Sequence, residues 1–244
     1  SVFFSIGGYD ETFTPGSSTN PYTISSQEEW NDFAWSIYTG ANDYEGKYVK
    51  LLKNITIEKK TEHKGTKVNH NFASVSTPNS YSEADPKNAN SNMGYNFAGN
   101  ISQGNSDMKL VTVDGVQGTT TPSFKGHFDG NGNKIEISVN ENVGTDYYHR
   151  MSAFPNAGIN ASSKTTFKNL TIYGTIIAGD ATAVWDKDDM PWTYNSAYDI
   201  AGFVGKPFGA IKFENCTAQV NIKGLRLIAG FAGGSTSTAP IELV

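Results

Sequence analysis

The chain has 244 residues, of which 24 are acidic and 19 basic, and its formal net charge is −5. This acidic balance argues against a nucleic-acid partner, which would select a basic patch. No apolar run approaches the ~20 residues needed to span a bilayer, so we expect no membrane-spanning segment. The single cysteine, Cys216, excludes an intrachain disulfide and is predicted to be a small packing residue.

Residues 22–57 predict a cap made of a strand, a helix and one or two further strands. A capping box is formed by Ser26 and Glu29, and apolar residues follow at helical spacing: Trp30, Phe33, Ala34 and Ile37. Gly40 is a plausible end of the helix. The segment 48–57 alternates as a strand does. We therefore expect an amphipathic helix folded over the open end of a sheet.

Residues 58–108 differ in composition, with many Asn and Ser, two prolines and few aliphatic side chains. We interpret them as a long insertion that is loosely ordered in part. His63 and His70 lie in this insertion without further ligands at short spacing. Both histidines are therefore expected to be solvated loop residues.

Repeats appear in residues 110–244. The segment 166–176 aligns with 212–222, which matches Phe167 to Phe213, Asn169 to Asn215 and Ile176 to Ile222. The sequence Ala-Gly-Phe-Val-Gly at 201–205 recurs as Ala-Gly-Phe-Ala-Gly at 229–233, which should stack Phe203 on Phe231. A period in the twenties with short strands and Gly/Asn turns is typical of a solenoid. The prediction is an all-β chain folded as one right-handed parallel β-helix domain over 1–244, with a second insertion at 178–199.

Residues 129–133, Asp-Gly-Asn-Gly-Asn, look like the start of a calcium loop. The positions that would hold Gly and Glu in an EF-hand loop hold Lys134 and Asn140 instead. We therefore interpret the run as a tight turn in which Asp129 accepts hydrogen bonds from turn amides.

The repeats and turns together resemble the GLUG-motif proteins, a family of β-solenoid surface proteins found in gut bacteria of the Bacteroides type. The resemblance covers roughly residues 22–57 and 110–244 and rests on Trp30, Phe33, residues 46–51, Phe124, Gly126, Phe128, residues 129–132, 201–205 and 214–216. It implies a secreted, adhesin-like protein at the cell surface, anchored in the outer membrane through a removed N-terminal segment. It attributes no catalytic residue to the motif. The end at Val244 without a capping segment suggests a truncated C-terminus.

The insertion at 178–199 is the predicted ligand-binding site. It gathers aromatic and acidic side chains, which stack on sugar rings and accept hydrogen bonds from hydroxyl groups: Trp185, Asp186, Asp188, Asp189, Trp192, Tyr194 and Tyr198. The same group could hold calcium, although no cofactor is required. In the alternative interpretation, the aromatic rings only pin the loop to the wall of the solenoid.

The leading functional prediction is a non-enzymatic adhesin-like module that binds an extracellular glycan or a host surface protein. One alternative is a polysaccharide lyase or hydrolase using Asp186, Asp188 or Asp189, although hydrolysis of this kind normally needs paired carboxylates. Another is a spacer that presents a further domain. The sequence shows no catalytic constellation that would favour the enzyme.

Overall fold

The chain, over the residues that the structure describes, folds mainly into short strands that pair in parallel. The computed structural model describes residues 14–38, 40–60, 62–64, 66–67, 95–98, 123–141, 151–178, 198–224, 226–234 and 239–244. Its elements are β1 (Tyr22–Ile24), α1 (Gln27–Tyr38), β2 (Tyr48–Leu51), β3 (Ile55–Ile57), β4 (Glu62–His63), β5 (Thr66–Lys67), β6 (His127–Asp129), β7 (Lys134–Glu141), β8 (Phe154–Ala157), β9 (Thr165–Lys168), β10 (Thr171–Ala178), β11 (Tyr198–Ala201), β12 (Val204–Pro207), β13 (Ile211–Glu214), β14 (Thr217–Lys223), β15 (Arg226–Ala229) and β16 (Ile241–Leu243).

The chain returns repeatedly to the same sheets. One sheet has six strands in the order β1-β2-β6-β9-β13-β16, and a second has four in the order β14-β10-β7-β3. Two smaller sheets pair β8 with β12 and β11 with β15. All of these pairings are parallel, whereas the β4–β5 hairpin is antiparallel. The predicted all-β class with parallel pairing is confirmed.

The register of the sheets is the one that the repeats predict. Phe213 pairs with Phe167, Ile222 with Ile176 and Ala229 with Ala201. Equivalent apolar side chains therefore lie above one another inside the protein. The rings of Phe167 and Phe213 stack with centroids 5.4 Å apart, and those of Phe203 and Phe231 with centroids 5.2 Å apart. The predicted stack of Phe203 on Phe231 is confirmed.

A ladder of polar side chains marks the turns that follow β6, β9 and β13. Asn215 donates its amide N–H to Asn169 Oδ1 (2.9 Å), and Asn169 donates in turn to Asp129 Oδ1 (3.2 Å). Asn169 and Asn215 have φ of 51° and 49°, a left-handed conformation that asparagine tolerates better than most residues. We call this series the Asp129–Asn169–Asn215 ladder, and its hydrogen bonds hold each turn in register with the next.

The ladder yields a stability prediction at its central residue. We expect Asn169→Ala to lower the free energy of unfolding by ~2 kcal/mol, because it removes two side-chain hydrogen bonds and places alanine at a positive φ that asparagine tolerates better. Asn169→Gly should recover the conformational part of the loss but not the hydrogen bonds. Urea denaturation of the two variants measures both parts. Equal stability of Asn169→Ala and the wild type would show that the ladder contributes nothing.

Helix α1 begins and ends as the sequence predicts. Glu29 N–H donates to Ser26 Oγ (3.1 Å), while the Glu29 carboxylate accepts hydrogen bonds from the backbone N–H and the hydroxyl of Ser25. These bonds lower the pKa of Glu29. The helix ends at Tyr38, and Gly40 follows with φ of 73°. Its four predicted core residues, including Trp30, are all buried, and they face the strands.

Part of the 58–108 insertion packs against this helix. Tyr95, Phe97 and Ala98 are buried, and Trp30 donates its indole N–H to the carbonyl of Asn96 (2.9 Å). Asn96 also donates to Asn31 Oδ1 and accepts from the N–H of Glu58. Residues 95–98 therefore belong to the core of the cap, although nothing in the composition of the insertion indicates this. The remaining residues of the insertion are mostly outside the described part of the chain.

His63 does not lie in a solvated loop, so that prediction was wrong. Its side chain is only 4% exposed, its ring lies on Trp35 with centroids 5.2 Å apart, and Nε2 is 2.9 Å from Asp32 Oδ1. Burial raises the pKa of Asp32, but Lys64 at 2.6 Å and His63 outweigh it, and the pKa falls below its usual value. His63 is held by its contacts with Trp35 and Asp32 of helix α1. The polar sequence around His63 gives no indication of these contacts. His70 lies outside the described residues.

Candidate functional site

The predicted loop site falls almost entirely on residues that the structure does not describe. Trp185, Asp186, Asp188, Asp189, Trp192 and Tyr194 lie outside the described residues. Tyr198 is the first residue of β11, and its backbone pairs with Arg226 of β15. The binding role of these seven residues stays a prediction.

The outer face of the six-stranded sheet carries two rows of polar side chains. Along β2, β6 and β9 the middle residues Val49, Phe128 and Phe167 are buried, and the residues before and after them point outward. The first row therefore contains Tyr48, His127 and Thr166, and the second row contains Lys50, Asp129 and Lys168. The alternation follows from the two-residue period of a strand.

These two rows form the floor of a groove of about 440 Å³. One side is lined by residues that precede β1: Ser18, Thr19 and Pro21. Gly16 turns the chain here with φ of 80°, and its carbonyl accepts a hydrogen bond from the N–H of Tyr48 (2.9 Å). The wall of the groove is thereby tied to the first strand of its floor. We name this feature the sheet-face groove.

An aromatic pair forms one half of the groove floor. The rings of Tyr48 and His127 lie 4.4 Å apart at an interplanar angle of 31°, and Tyr48 is 37% exposed. His127 Nδ1 is 2.8 Å from Thr166 Oγ1, which fixes the orientation of the imidazole. Burial lowers the pKa of His127, so the imidazole is neutral at pH 7. Because the two rings are stacked on each other, the pair presents its uncharged ring edges and outer faces to the groove, with a hydroxyl at one edge.

Charged groups form the other half of the floor. Lys168 Nζ lies 3.5 Å from Asp129 Oδ2, and Lys50 holds the equivalent position on the other side of Asp129. Among the described residues, Lys50 makes no ion pair. The groove thus combines an apolar ring surface with two ammonium groups and several hydroxyls, a combination suited to a polar ligand with flat apolar faces.

Asp129 acts in the turn, as predicted. Its Oδ1 accepts the N–H of Asn131 (2.8 Å) as well as the amide of Asn169. Asn131 and Gly132 take positive φ, and a β-carbon at Gly130 would lie 2.5 Å from the carbonyl oxygen of Asn169. Within the described part of the chain, no three His, Cys, Asp or Glu side chains gather closely enough to hold a metal ion. Calcium in the 178–199 loop stays a prediction.

Cys216 lies close to this turn. It is half-buried against the core, and its Sγ is 3.4 Å from the carbonyl oxygen of Phe167. Burial raises the pKa of the thiol, which keeps it protonated at neutral pH. The predicted packing role is consistent with both observations.

Sequence reasoning missed the sheet-face groove because its floor comes from three distant segments. The repeat that aligns Phe167 with Phe213 becomes a series of three once Phe128 is aligned with them. That step would have placed His127 beside Thr166 and Asp129 beside Lys168, since these residues flank the aligned phenylalanines. The strand pattern around Val49 would then have added Tyr48 and Lys50.

None of the described helical residues forms a segment long and apolar enough to cross a membrane, since α1 has 12 residues. Comparison with protein-family models, with curated proteins and with solved structures finds no match to this chain.

Proposed function

We propose that this chain is a non-enzymatic module that binds an extracellular glycan in the sheet-face groove. The observation that carries the proposal is the Tyr48–His127 ring pair, exposed in a groove beside lysines and hydroxyls. The C–H faces of a pyranose ring are apolar and stack on aromatic rings, while its hydroxyls exchange hydrogen bonds with polar neighbours. The one carboxylate in the floor, Asp129, is engaged by turn amides, which favours a binding role over an acid–base one.

The proposed architecture is a right-handed parallel β-helix. Its support is the repeated return of the chain to the same parallel sheets, with equivalent residues in register. Parallel strands joined by a crossover are right-handed in nearly all proteins, which gives the hand. In such a fold the strands are rigid, so the groove floor would be preorganised for its ligand.

The resemblance to GLUG-motif proteins gives the proposed setting. It supports an adhesin-like role at the outer surface of a bacterial cell, where glycans are abundant. The aromatic and acidic loop at 178–199 would extend the binding surface beyond the groove. Its predicted contact residues include Trp185 and Trp192, which would add further sugar-stacking rings.

The proposal predicts that Tyr48→Ala weakens glycan binding at least tenfold, equivalent to ~1.4 kcal/mol, because the ring platform is lost. Tyr173→Ala is the matched control, since Tyr173 is half-buried on β10 of the four-stranded sheet. A glycan array followed by calorimetry on the best ligand measures the effect. The Trp185→Ala/Trp192→Ala double variant in the same assay tests the loop.

Three outcomes decide the proposal. Loss with Tyr48→Ala and full binding with Tyr173→Ala would support the groove as the glycan site. Loss only with the tryptophan double variant would move the site to the loop. Absence of binding to every glycan on the array would remove the proposed function.

A further inference from the structure

We infer that the sheet-face groove selects glycans that carry an anionic group, such as the carboxylate of a uronic acid. This inference rests on the proposed glycan-binding function and specifies its ligand. The aromatic pair accounts for sugar stacking in general, whereas the second row of the floor, with Lys50 and Lys168, distinguishes charged sugars from neutral ones.

The charge of the groove differs from that of the whole chain. The protein has a net charge of −5, yet the described lining of the groove contains two lysines and one carboxylate, with His127 neutral. Asp129 is turned toward Asn131 and Asn169, and its second oxygen faces Lys168. Lys50 is left with no ion-pair partner among the described residues. The groove is therefore locally cationic on an acidic protein.

The next acidic residue in the second row lies beside Lys168 and not beside Lys50. Glu214 follows Lys168 in register, but Lys212 lies 2.9 Å from its carboxylate. The hydrogen bond and the charge of Lys212 lower the pKa of Glu214, and the charge of Lys168 lowers it further. Lys168 therefore has Asp129 and Glu214 as acidic neighbours, and Lys50 is the lysine of the groove with no ion-pair partner among the described residues.

The spacing of the strands places the lysines where a sugar substituent would reach them. Adjacent strands are ~4.8 Å apart, so Lys50 and Lys168, on either side of Asp129, stand about 10 Å apart at their Cα atoms. The two rows are two residues apart along each strand, or ~7 Å. Lys50 follows Tyr48 by two residues on the same strand, so a sugar ring held against Tyr48 would bring an anionic substituent within reach of the Lys50 ammonium group, while Lys168 offsets the carboxylate of Asp129.

The experiment uses one polymer backbone in two charge states. Polygalacturonate carries a carboxylate on every sugar, and its fully methyl-esterified form is neutral with the same backbone. Affinity is measured for both polymers with wild type, Tyr48→Ala, Lys50→Gln/Lys168→Gln, and Lys134→Gln/Lys223→Gln. The last variant removes the same two charges from exposed positions on the four-stranded sheet. Sulfated polysaccharide is a separate arm, and circular dichroism checks that every variant is folded.

The expected result is a wild-type preference of about tenfold for the acidic polymer, reduced by added salt. Lys50→Gln/Lys168→Gln should bind the two forms equally, and the four-stranded-sheet variant should keep the preference. Stronger binding to the sulfated polysaccharide than to polygalacturonate would support selection of anionic glycans and would identify the preferred anionic group as sulfate. Equal wild-type affinity for both polymers would overturn the inference while leaving glycan binding intact. Equal losses in the two lysine double variants would overturn it as well, because the attraction would then be nonspecific. Tyr48→Ala that leaves neutral-polymer binding unchanged would instead remove the proposed function.

Discussion

Trp30→Ala is expected to lower the free energy of unfolding by about 3–5 kcal/mol, the range for a fully buried large aromatic residue. The ring is 0% exposed and meets Phe128 and Phe154 edge-on at 6.2 Å and 6.0 Å. Its N–H bond to the carbonyl of Asn96 joins the insertion to the helix. Removing the ring leaves a cavity where three parts of the chain meet, and it leaves the Asn96 carbonyl without its indole donor.

Two further variants separate these contributions. Trp30→Phe keeps a ring in the core and loses the N–H donor, so its loss should be about 1–2 kcal/mol. Trp35→Ala is the control, because Trp35 lies on the same helix but is only half-buried against Tyr38 and His63. Urea denaturation followed by circular dichroism gives all three values. A loss in Trp35→Ala as large as that in Trp30→Ala would contradict the larger contribution expected from the fully buried Trp30.

Gly174→Ala is expected to destabilise the chain by about 2–5 kcal/mol. Gly174 lies in the middle of β10 with φ of 123°, a conformation that alanine adopts only at a cost of ~1–3 kcal/mol. A β-carbon there would also collide with the carbonyl oxygen of Ile137 on the neighbouring strand. Gly174 pairs with Ile137 and Val220 in register. Neither neighbouring strand can therefore move away without breaking backbone hydrogen bonds of the four-stranded sheet.

Gly132→Ala is the matched control for this variant. Gly132 also has positive φ, 78°, but a β-carbon there would meet nothing within 4 Å. It should therefore show the conformational cost alone, about 1 kcal/mol. Thermal and urea unfolding of the two variants, measured side by side, isolate the steric part. Equal losses at the two positions would show that the strands of the four-stranded sheet can separate to admit a methyl group.

The register of the sheets could be predicted from the sequence because the same side chains recur at the same place in each repeat. Phe167 and Phe213 share a flanking Asn, so one alignment fixed the pairing of β9 with β13 and of β10 with β14. Helix α1 was predictable for a different reason. Its capping residues and its apolar spacing are local, and no distant contact is needed to define them.

The cap contacts and the groove could not be predicted in the same way. His63 is buried by Trp35 and Asp32, which lie 28 and more residues earlier, and nothing in its neighbouring sequence indicates a core position. Residues 95–98 enter the core from within a polar insertion. The groove floor brings Tyr48, His127 and Thr166 together from three segments, so its chemistry emerges only once the strands are in register.

The side-chain hydrogen bonds of the Asp129–Asn169–Asn215 ladder all run in one direction, and this limits how such a chain can change in length. Every amide donates toward Asp129, whose carboxylate only accepts and so closes the series. Asp129 and Asn169 are 40 residues apart, and Asn169 and Asn215 are 46 apart, yet the bonds between them are alike. The number of residues between two of these turns can therefore differ without changing the hydrogen bonds of the ladder. Duplication of a whole repeat ending in such an asparagine would lengthen the series without altering it, whereas deletion of one residue beside a turn would break it.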